Sequence, residues 1–193
     1  KQQTKLSQNR RSLEAHRQTL KHNRNQRKKV LTKLSANIKS NAQRLKKMKA
    51  NQSRLENLLS ELELAIANIP TPKDASPFKQ QKSKLPWPSR GRVLARFGSR
   101  IAQGKLKLNG IRIATKEDNQ ISAIHHGRII FSNWIRGFGL LTIIDHGENY
   151  MSLYGNNKSL LKETGDWVSA GETIAYSNES STNNESGLYF EIR

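Results

Sequence analysis

The chain has 193 residues with 34 Lys/Arg against 15 Asp/Glu, a formal net charge of +19 and no cysteine. The lack of cysteine excludes disulfides, thiolate zinc sites and thiol nucleophiles. No apolar run reaches the roughly 18 residues expected of a transmembrane helix. Residues 1–66 hold 17 basic and 4 acidic residues and residues 67–193 hold 17 and 11, so the excess belongs mainly to the first third. The chain begins at Lys1 rather than Met, which favours a processed protein or a fragment.

Residues 1–69 contain neither glycine nor proline and predict one long helix. Apolar residues recur at heptad spacing over this segment, which favours a coiled coil, at Leu6, Leu13, Leu20, Leu31, Leu34, Ile38, Leu45, Met48, Leu55, Leu59, Leu62 and Ile66. Polar residues such as Arg10, Arg17, Asn41 and Gln52 interrupt the seam. A single helix cannot bury such a stripe alone, so we expect either self-association or a partner helix from upstream. The arginines favour the second arrangement, because they would repel a parallel copy.

Residues 70–84, "PTPKDASPFKQQKSK", predict a linker. Pro70 and Pro72 are expected to end the helix near Asn68. A short helix could begin with Ser76 as its N-cap and Pro77 at its first position, and the alternative is a disordered tether.

From Leu85 onward the pattern changes to short β-branched and aromatic runs separated by Gly, Asn, Asp and Ser. The predicted strands lie in "GRVLARFG", "GIRIAT", "GRIIFSNWI", "GLLTIIDHG", "YMSLYG" and "ETIAYS". The fold class is therefore α plus all-β, with an antiparallel β domain over residues 85–193. In the last run, "SGLYFEIR", alternation predicts that Leu188, Phe190 and Ile192 face the core.

Several segments together resemble the LytM, or M23 metallopeptidase, domain: "LPWPSRGRVLARFG", "NGIRIAT", "IDHGENYMSLYGNN", "ETGDWVSAGETIAYS" and "SGLYFEIR". With a coiled coil ahead of it, the chain is similar to the EnvC-type subgroup of murein hydrolase activators, in which the LytM domain is degenerate. Active members of the family are zinc endopeptidases. Their metal ligands are the His and Asp of an H-x-x-x-D segment and the second His of a late H-x-H, with further histidines for proton transfer.

All five matching positions differ here: Leu108 and Arg112 in the first segment, Asn156 in the Tyr-x-His segment, and Gly187 and Tyr189 in the last. Leu108 and Gly187 carry no donor atom, and Arg112 is a permanent cation. At about 4 Å and an effective dielectric near 20, its repulsion of a dication is about 8 kcal/mol. The resemblance therefore implies a catalytically inactive domain with no metal and no cofactor.

The five histidines do not suggest a replacement site. His16 and His22 lie on the basic helix and are expected to be solvated. Adjacent residues of a strand point to opposite faces, so we expect His125 and His126 to diverge. His146 is expected to have a structural role, in a turn or in packing.

The resemblance implies a partner-binding cleft in place of the active site, for which we name Asn109, Arg112, Phe138, Tyr189 and Arg193, since aromatic and Arg side chains are enriched in binding hot spots. Its partner would be a periplasmic N-acetylmuramyl-L-alanine amidase, whose inhibitory helix the cleft captures during septal peptidoglycan splitting. The same resemblance implies restraint by residues 74–84, anchored by Phe78 and Leu85, and control through the coiled coil by an FtsEX-like inner-membrane complex. The location would be the Gram-negative periplasm at the division septum, with a weak peptidoglycan contact.

Two alternatives remain open at this stage. An active zinc M23 endopeptidase would bind zinc and digest peptidoglycan without an amidase. A basic coiled-coil protein that binds nucleic acid or an envelope polymer is suggested by charge alone. The basic residues are spread around the helix and no groove-reading motif follows, so we expect no nucleic-acid partner.

Overall fold

The computed structural model describes residues 2–66, 77–101, 105–179 and 187–193 and, within the first helix, the side chains of residues 13, 14 and 16–65. The chain divides into two compact units, Lys1–Lys46 and Lys47–Arg193. The second unit contains the end of the long helix as well as every strand.

Helix α1 (Gln2–Ile66) is continuous, as expected for a segment without glycine or proline. Within the first unit its apolar side chains are more than half exposed at the positions Leu13, Leu20, Val30, Leu31, Leu34 and Ile38. A partner helix for this stripe stays a prediction. No helix in the described part of the chain is long and apolar enough to cross a membrane.

The linker contains a 3₁₀ helix (Phe78–Gln81) with Pro77 as its N-cap residue. The predicted short helix is thus shorter than expected, and its expected N-cap Ser76 lies outside the described residues. The predicted end of α1 near Asn68 lies outside them too.

The β domain is antiparallel, which confirms the expected fold class. Its strands are β1 (Val93–Ala95), β2 (Arg100–Ile101), β3 (Leu106–Lys107), β4 (Ile111–Ile113), β5 (Gln120–Ser122), β6 (Gly127–Ile135), β7 (Gly139–Asp145), β8 (Met151–Leu160), β9 (Trp167–Val168), β10 (Thr173–Ser177) and β11 (Leu188–Ile192). The main sheet has the order β1-β4-β11-β8-β7-β6-β9, and β10 pairs with both β5 and the end of β8. Strands β2 and β3 form a separate hairpin.

The central strands β6, β7 and β8 pack against an apolar cluster on each face, although Asn133 and Trp134 of β6 are exposed. One face belongs to the main core, with Ile129, Ile144 and Tyr154. The other face carries Leu141, Ile143 and Leu153 and is covered by Leu55 and Leu59 of α1, which are almost fully buried.

Strand β11 follows the predicted alternation only in part. Leu188 and Phe190 lie in the main core as expected. The prediction for Ile192 is wrong, because its side chain is 43% exposed. It is the last residue of the strand, where the covering layer ends.

Candidate functional site

One cavity of about 130 Å³ in the second unit collects the residues that the sequence singled out. Its lining includes all five degenerate positions and the remaining predicted cleft residues: Leu108, Arg112, Asn156, Gly187 and Tyr189, with Asn109, Phe138 and Arg193. We call this cavity and its walls the cleft. The role of these residues in binding stays a prediction.

Two of the five positions serve the backbone of the sheet. Gly187 has φ +106°, and a Cβ there would lie 2.5 Å from the Ile113 carbonyl oxygen, so only glycine fits. Asn156 has φ 65° within β8, and its side-chain amide donates to the Gly187 carbonyl at 2.9 Å. A histidine at residue 187 would therefore require the sheet to shift.

Two residues that line the cleft, Tyr189 and Arg193, donate to one buried carboxylate. Glu191 accepts a hydrogen bond from the Tyr189 hydroxyl and another from Arg193 Nε at 2.7 Å. Burial, together with the negative charge of Glu191, raises the pKa of Tyr189 well above its usual range, so this hydroxyl stays protonated and donates. Glu191 is thus committed to an ion pair with Arg193 and is not poised as a general base.

Arg112 lies beside this group on β4, opposite Tyr189 in the strand register. Desolvation by burial lowers the pKa of its guanidinium, and the neighbouring Tyr189 partly offsets this effect. Phe138 packs edge-on against Tyr189, with ring centroids 5.2 Å apart. The cleft therefore combines a half-buried cation with an aromatic wall.

The residues present do not fit the zinc ion that active M23 enzymes use. Leu108 and Gly187 offer no ligand atom, and the Tyr189 hydroxyl donates to Glu191. Within the ranges that the structure describes, no three His, Asp or Glu side chains are grouped so that they could hold a metal.

The C-terminal part of α1 forms one wall of the cleft, through Met48, Asn51, Gln52 and Leu55. The approach is close: a Cβ on Gly137 would lie 2.4 Å from the side-chain nitrogen of Asn51. Gln52, which interrupts the apolar heptads, is placed where the helix meets this polar cavity. The sequence analysis did not foresee the four helix residues, although the polar break in the repeat was a signal for them.

The expectation that residues 74–84 fill the cleft is not met by their described part. Phe78 is buried elsewhere, stacked on His146 with ring centroids 4.6 Å apart and 5.1 Å from the Tyr150 ring. Leu85 packs against the same core. An apolar ring finds a better environment among these rings than beside Arg112 and Glu191, and residues 74–76 lie outside the described residues.

The pocket around Phe78, which we call the Phe78 pocket, contains three histidines. The expectation that His125 and His126 diverge is wrong, because they lie in a bend and their rings are 4.0 Å apart. His146 joins them and is buried, and this burial lowers its pKa to about 4.

Hydrogen bonds fix the neutral form of His146. Its Nδ1 lies 2.7 Å from the His126 carbonyl, so Nδ1 carries the proton, and its Nε2 accepts from the Ser152 hydroxyl at 2.6 Å. Ser152 Oγ in turn lies 2.9 Å from the Tyr154 hydroxyl, whose oxygen accepts from the Ile124 amide. Protonation of Nε2 would reverse this chain and leave the buried Tyr154 hydroxyl without an acceptor.

Comparisons with known proteins agree with the geometry. Residues 107–193 match the family described as Peptidase family M23. The chain is 34% identical over 201 residues to the murein hydrolase activator EnvC of Escherichia coli K12, covering 88% of this chain and 48% of that protein. It is 36% identical over 108 residues to the murein hydrolase activator NlpD of the same organism, covering 55% and 27%.

A solved structure of a putative M23 peptidase from Pseudomonas aeruginosa aligns over 72% of this chain and 54% of its own, with 17% identity and a TM-score of 0.49. The chain spans about half the length of EnvC and a smaller share of the length of NlpD. Taken with the antiparallel sheet and the altered cleft, the profile match and the identities lead to one conclusion. Residues 107–193 match peptidase family M23, in a chain that is similar to murein hydrolase activators.

Proposed function

We propose that the protein is a non-catalytic activator of periplasmic N-acetylmuramyl-L-alanine amidases, and that its cleft binds the inhibitory helix of the amidase. One observation carries the proposal. A cleft that lacks a donor set for zinc among its described residues packs a helix of its own chain against its wall. A surface that accepts one amphipathic helix is suited to a second one. The similarity to murein hydrolase activators supports the same role.

In this proposal the segment that blocks the cleft is the part of α1 from Met48 to Leu59, and not residues 74–84. Leu55 and Leu59 have relative exposures of 2% and 1%. Burying two leucines contributes at most about 3 to 6 kcal/mol. A contribution of this size would keep the state in which α1 has left the cleft below about one molecule in a hundred. An amidase helix therefore competes with α1, and its apparent affinity falls by the fraction of uncovered cleft.

Control of this equilibrium is assigned to an FtsEX-like complex that contacts α1, with the protein at the division septum in the periplasm of a Gram-negative bacterium. The exposed apolar side chains of Lys1–Lys46 support a contact of this kind. An exported fluorescent fusion is expected to collect at the septum and to become dispersed when the complex is deleted. An even distribution in wild-type cells would contradict this assignment.

The decisive experiment measures release of dye-labelled peptidoglycan by an amidase, with and without this protein. Leu59→Asp is expected to raise stimulation about tenfold or more, because a charged side chain cannot stay buried against β7. Leu64→Asp is the matched control, since Leu64 lies on the same helix and is 80% exposed. Equal stimulation by the two variants would contradict restraint by α1. Release by this protein without amidase would instead support a zinc endopeptidase.

A further inference from the structure

The β2–β3 hairpin forms part of the cleft wall, through Ile101, Leu106 and Lys107. Its outer surface is strongly basic. Arg96, Arg100, Lys105 and Lys107 are all exposed, and Phe97, at the turn that leads into the hairpin, is 74% exposed. This surface, residues 96–100 with 105–107, is called the basic hairpin below.

The surrounding sequence provides no compensating charge. Residues 75–116 contain six lysines and five arginines, eleven cations in all, and no Asp or Glu. Within the described ranges, the ion pairs to carboxylates involve Lys158, Lys162 and Arg193 and none of the four hairpin cations. The hairpin cations therefore differ from Arg193 of the cleft, which Glu191 neutralises.

The strand register adds an unfavourable contact. Arg100 and Lys107 are direct cross-strand partners in this two-residue ladder. Like charges placed directly opposite each other destabilise an antiparallel pair, and so short a hairpin has little other stabilisation. An anionic group that binds between these side chains would remove the repulsion and gain two charge-assisted hydrogen bonds.

We propose that the basic hairpin is a second docking surface, which receives acidic side chains that flank the cleft-bound helix of the same amidase. The inference rests on the proposed function and adds the chemistry of the partner. Continuity with the cleft favours this occupant, because a helix beside Leu108 also passes Ile101 and Lys107. A flat anionic membrane would meet the exposed cations but could not follow Ile101, Leu106 and Lys107 into the concave wall of the cleft.

The two surfaces divide the binding energy. Cations at the rim of an interface act mainly on the association rate and its salt dependence, whereas contacts in the cleft act mainly on dissociation. The basic hairpin would thus attract the amidase before α1 has left the cleft, and Tyr189 and Phe138 would retain it afterwards.

The test measures association of a purified amidase with the full chain by stopped flow. All variants carry Leu59→Asp, so that release of α1 does not limit the rate. Arg100→Glu/Lys107→Glu is compared with Lys82→Glu/Lys84→Glu, an equally exposed pair with the same change in net charge that does not line the cleft. Salt is varied from about 0.01 M to about 0.15 M, over which the screening length falls from about 30 Å to about 8 Å.

The hairpin variant is expected to associate about 10- to 100-fold more slowly at low salt, with a flatter salt dependence and a similar dissociation rate. Acid-to-lysine changes in the amidase that restore the rate would identify the paired residues. Equal rates for the hairpin and control variants would overturn the inference while leaving the proposed function intact. Loss of binding to phosphatidylglycerol vesicles with unchanged amidase association would also overturn it, in favour of a membrane surface. A chain that carries Leu59→Asp alone and binds no amidase at all would refute both proposals.

Discussion

Two segments outside the strands pack on the β domain, and they do so in different ways. The 3₁₀ helix inserts Phe78 among the rings of His125, His146 and Tyr150, where the hydrogen bonds of His146 are satisfied. Helix α1 instead contacts the domain through Asn51 and Gln52, beside a cavity that contains charged groups, and then through two buried leucines, Leu55 and Leu59.

This difference separates a permanent contact from an exchangeable one. An aromatic ring that fills an apolar pocket has no competitor in water, and removing it leaves a void. Amide side chains at a polar cavity exchange with water or with another polar surface at little cost. We therefore expect the Phe78 pocket to determine stability and the cleft to determine partner binding.

The largest expected effect is on stability at the Phe78 pocket. Phe78→Ala should lower the free energy of unfolding by about 3 to 5 kcal/mol, because the surrounding rings cannot close the cavity. Urea unfolding followed by tryptophan fluorescence measures the change. Phe97→Ala, at an aromatic residue that is 74% exposed, should stay within about 0.5 kcal/mol of the wild type. Similar losses from both variants would remove the distinction between the two contacts.

A somewhat smaller effect should appear with pH in the same pocket. The pKa of His146 is about 4 in the folded protein against an ordinary 6.5, so the unfolded chain takes up a proton first as the pH falls. Stability is therefore complete above pH 6.5 and should fall by about 3 kcal/mol between pH 6.5 and 4.

The measurement is the slope of unfolding free energy against pH in the wild type and in His146→Asn. The variant can be less stable at every pH and still be informative, since only the slope is compared. His125 and His126 face His146 in this pocket and stay unchanged in both proteins. An unaltered slope in the variant would show that His146 is not the group that titrates.

The smallest effect is expected in the cleft. Tyr189→Phe removes one of two hydrogen-bond donors to Glu191 and leaves Arg193 as the other. The free energy of unfolding should therefore fall by about 1 kcal/mol. Tyr176→Phe is the control, at a half-buried tyrosine of β10. A loss as large as that of Phe78→Ala would mean that the cleft, rather than the Phe78 pocket, dominates stability.

The longer strands could be predicted from sequence because each is an apolar run bounded by turn residues. "GRIIFSNWI" matches β6 from Gly127 to Ile135, and "GLLTIID" matches β7. The β2–β3 hairpin was missed, since its two-residue strands alternate charged and apolar residues around "AQG", with no β-branched run. β5 and β9 were missed for a similar reason, as strands of two or three residues carry no measurable periodicity.

For the site, the residues on the strands could be named from sequence, because a family pattern fixes their places in the sheet. Leu108, Arg112 and Tyr189 meet at one cavity although up to 81 positions separate them. The helix wall could not be named, because a heptad pattern does not specify which surface covers it. Phe78 was assigned to the wrong pocket, since its apolar character indicates burial but not the place of burial.

The internal pairing of Glu191 with Tyr189 and Arg193 has a consequence for how the cleft is assembled. In a metalloenzyme, the strands around an active site depend on an ion that must be acquired from the surroundings. Here Tyr189, Glu191 and Arg193, in or next to the last strand β11, are held in place by one another. These three side chains therefore take up their arrangement when the polypeptide folds, with partners that the chain itself supplies.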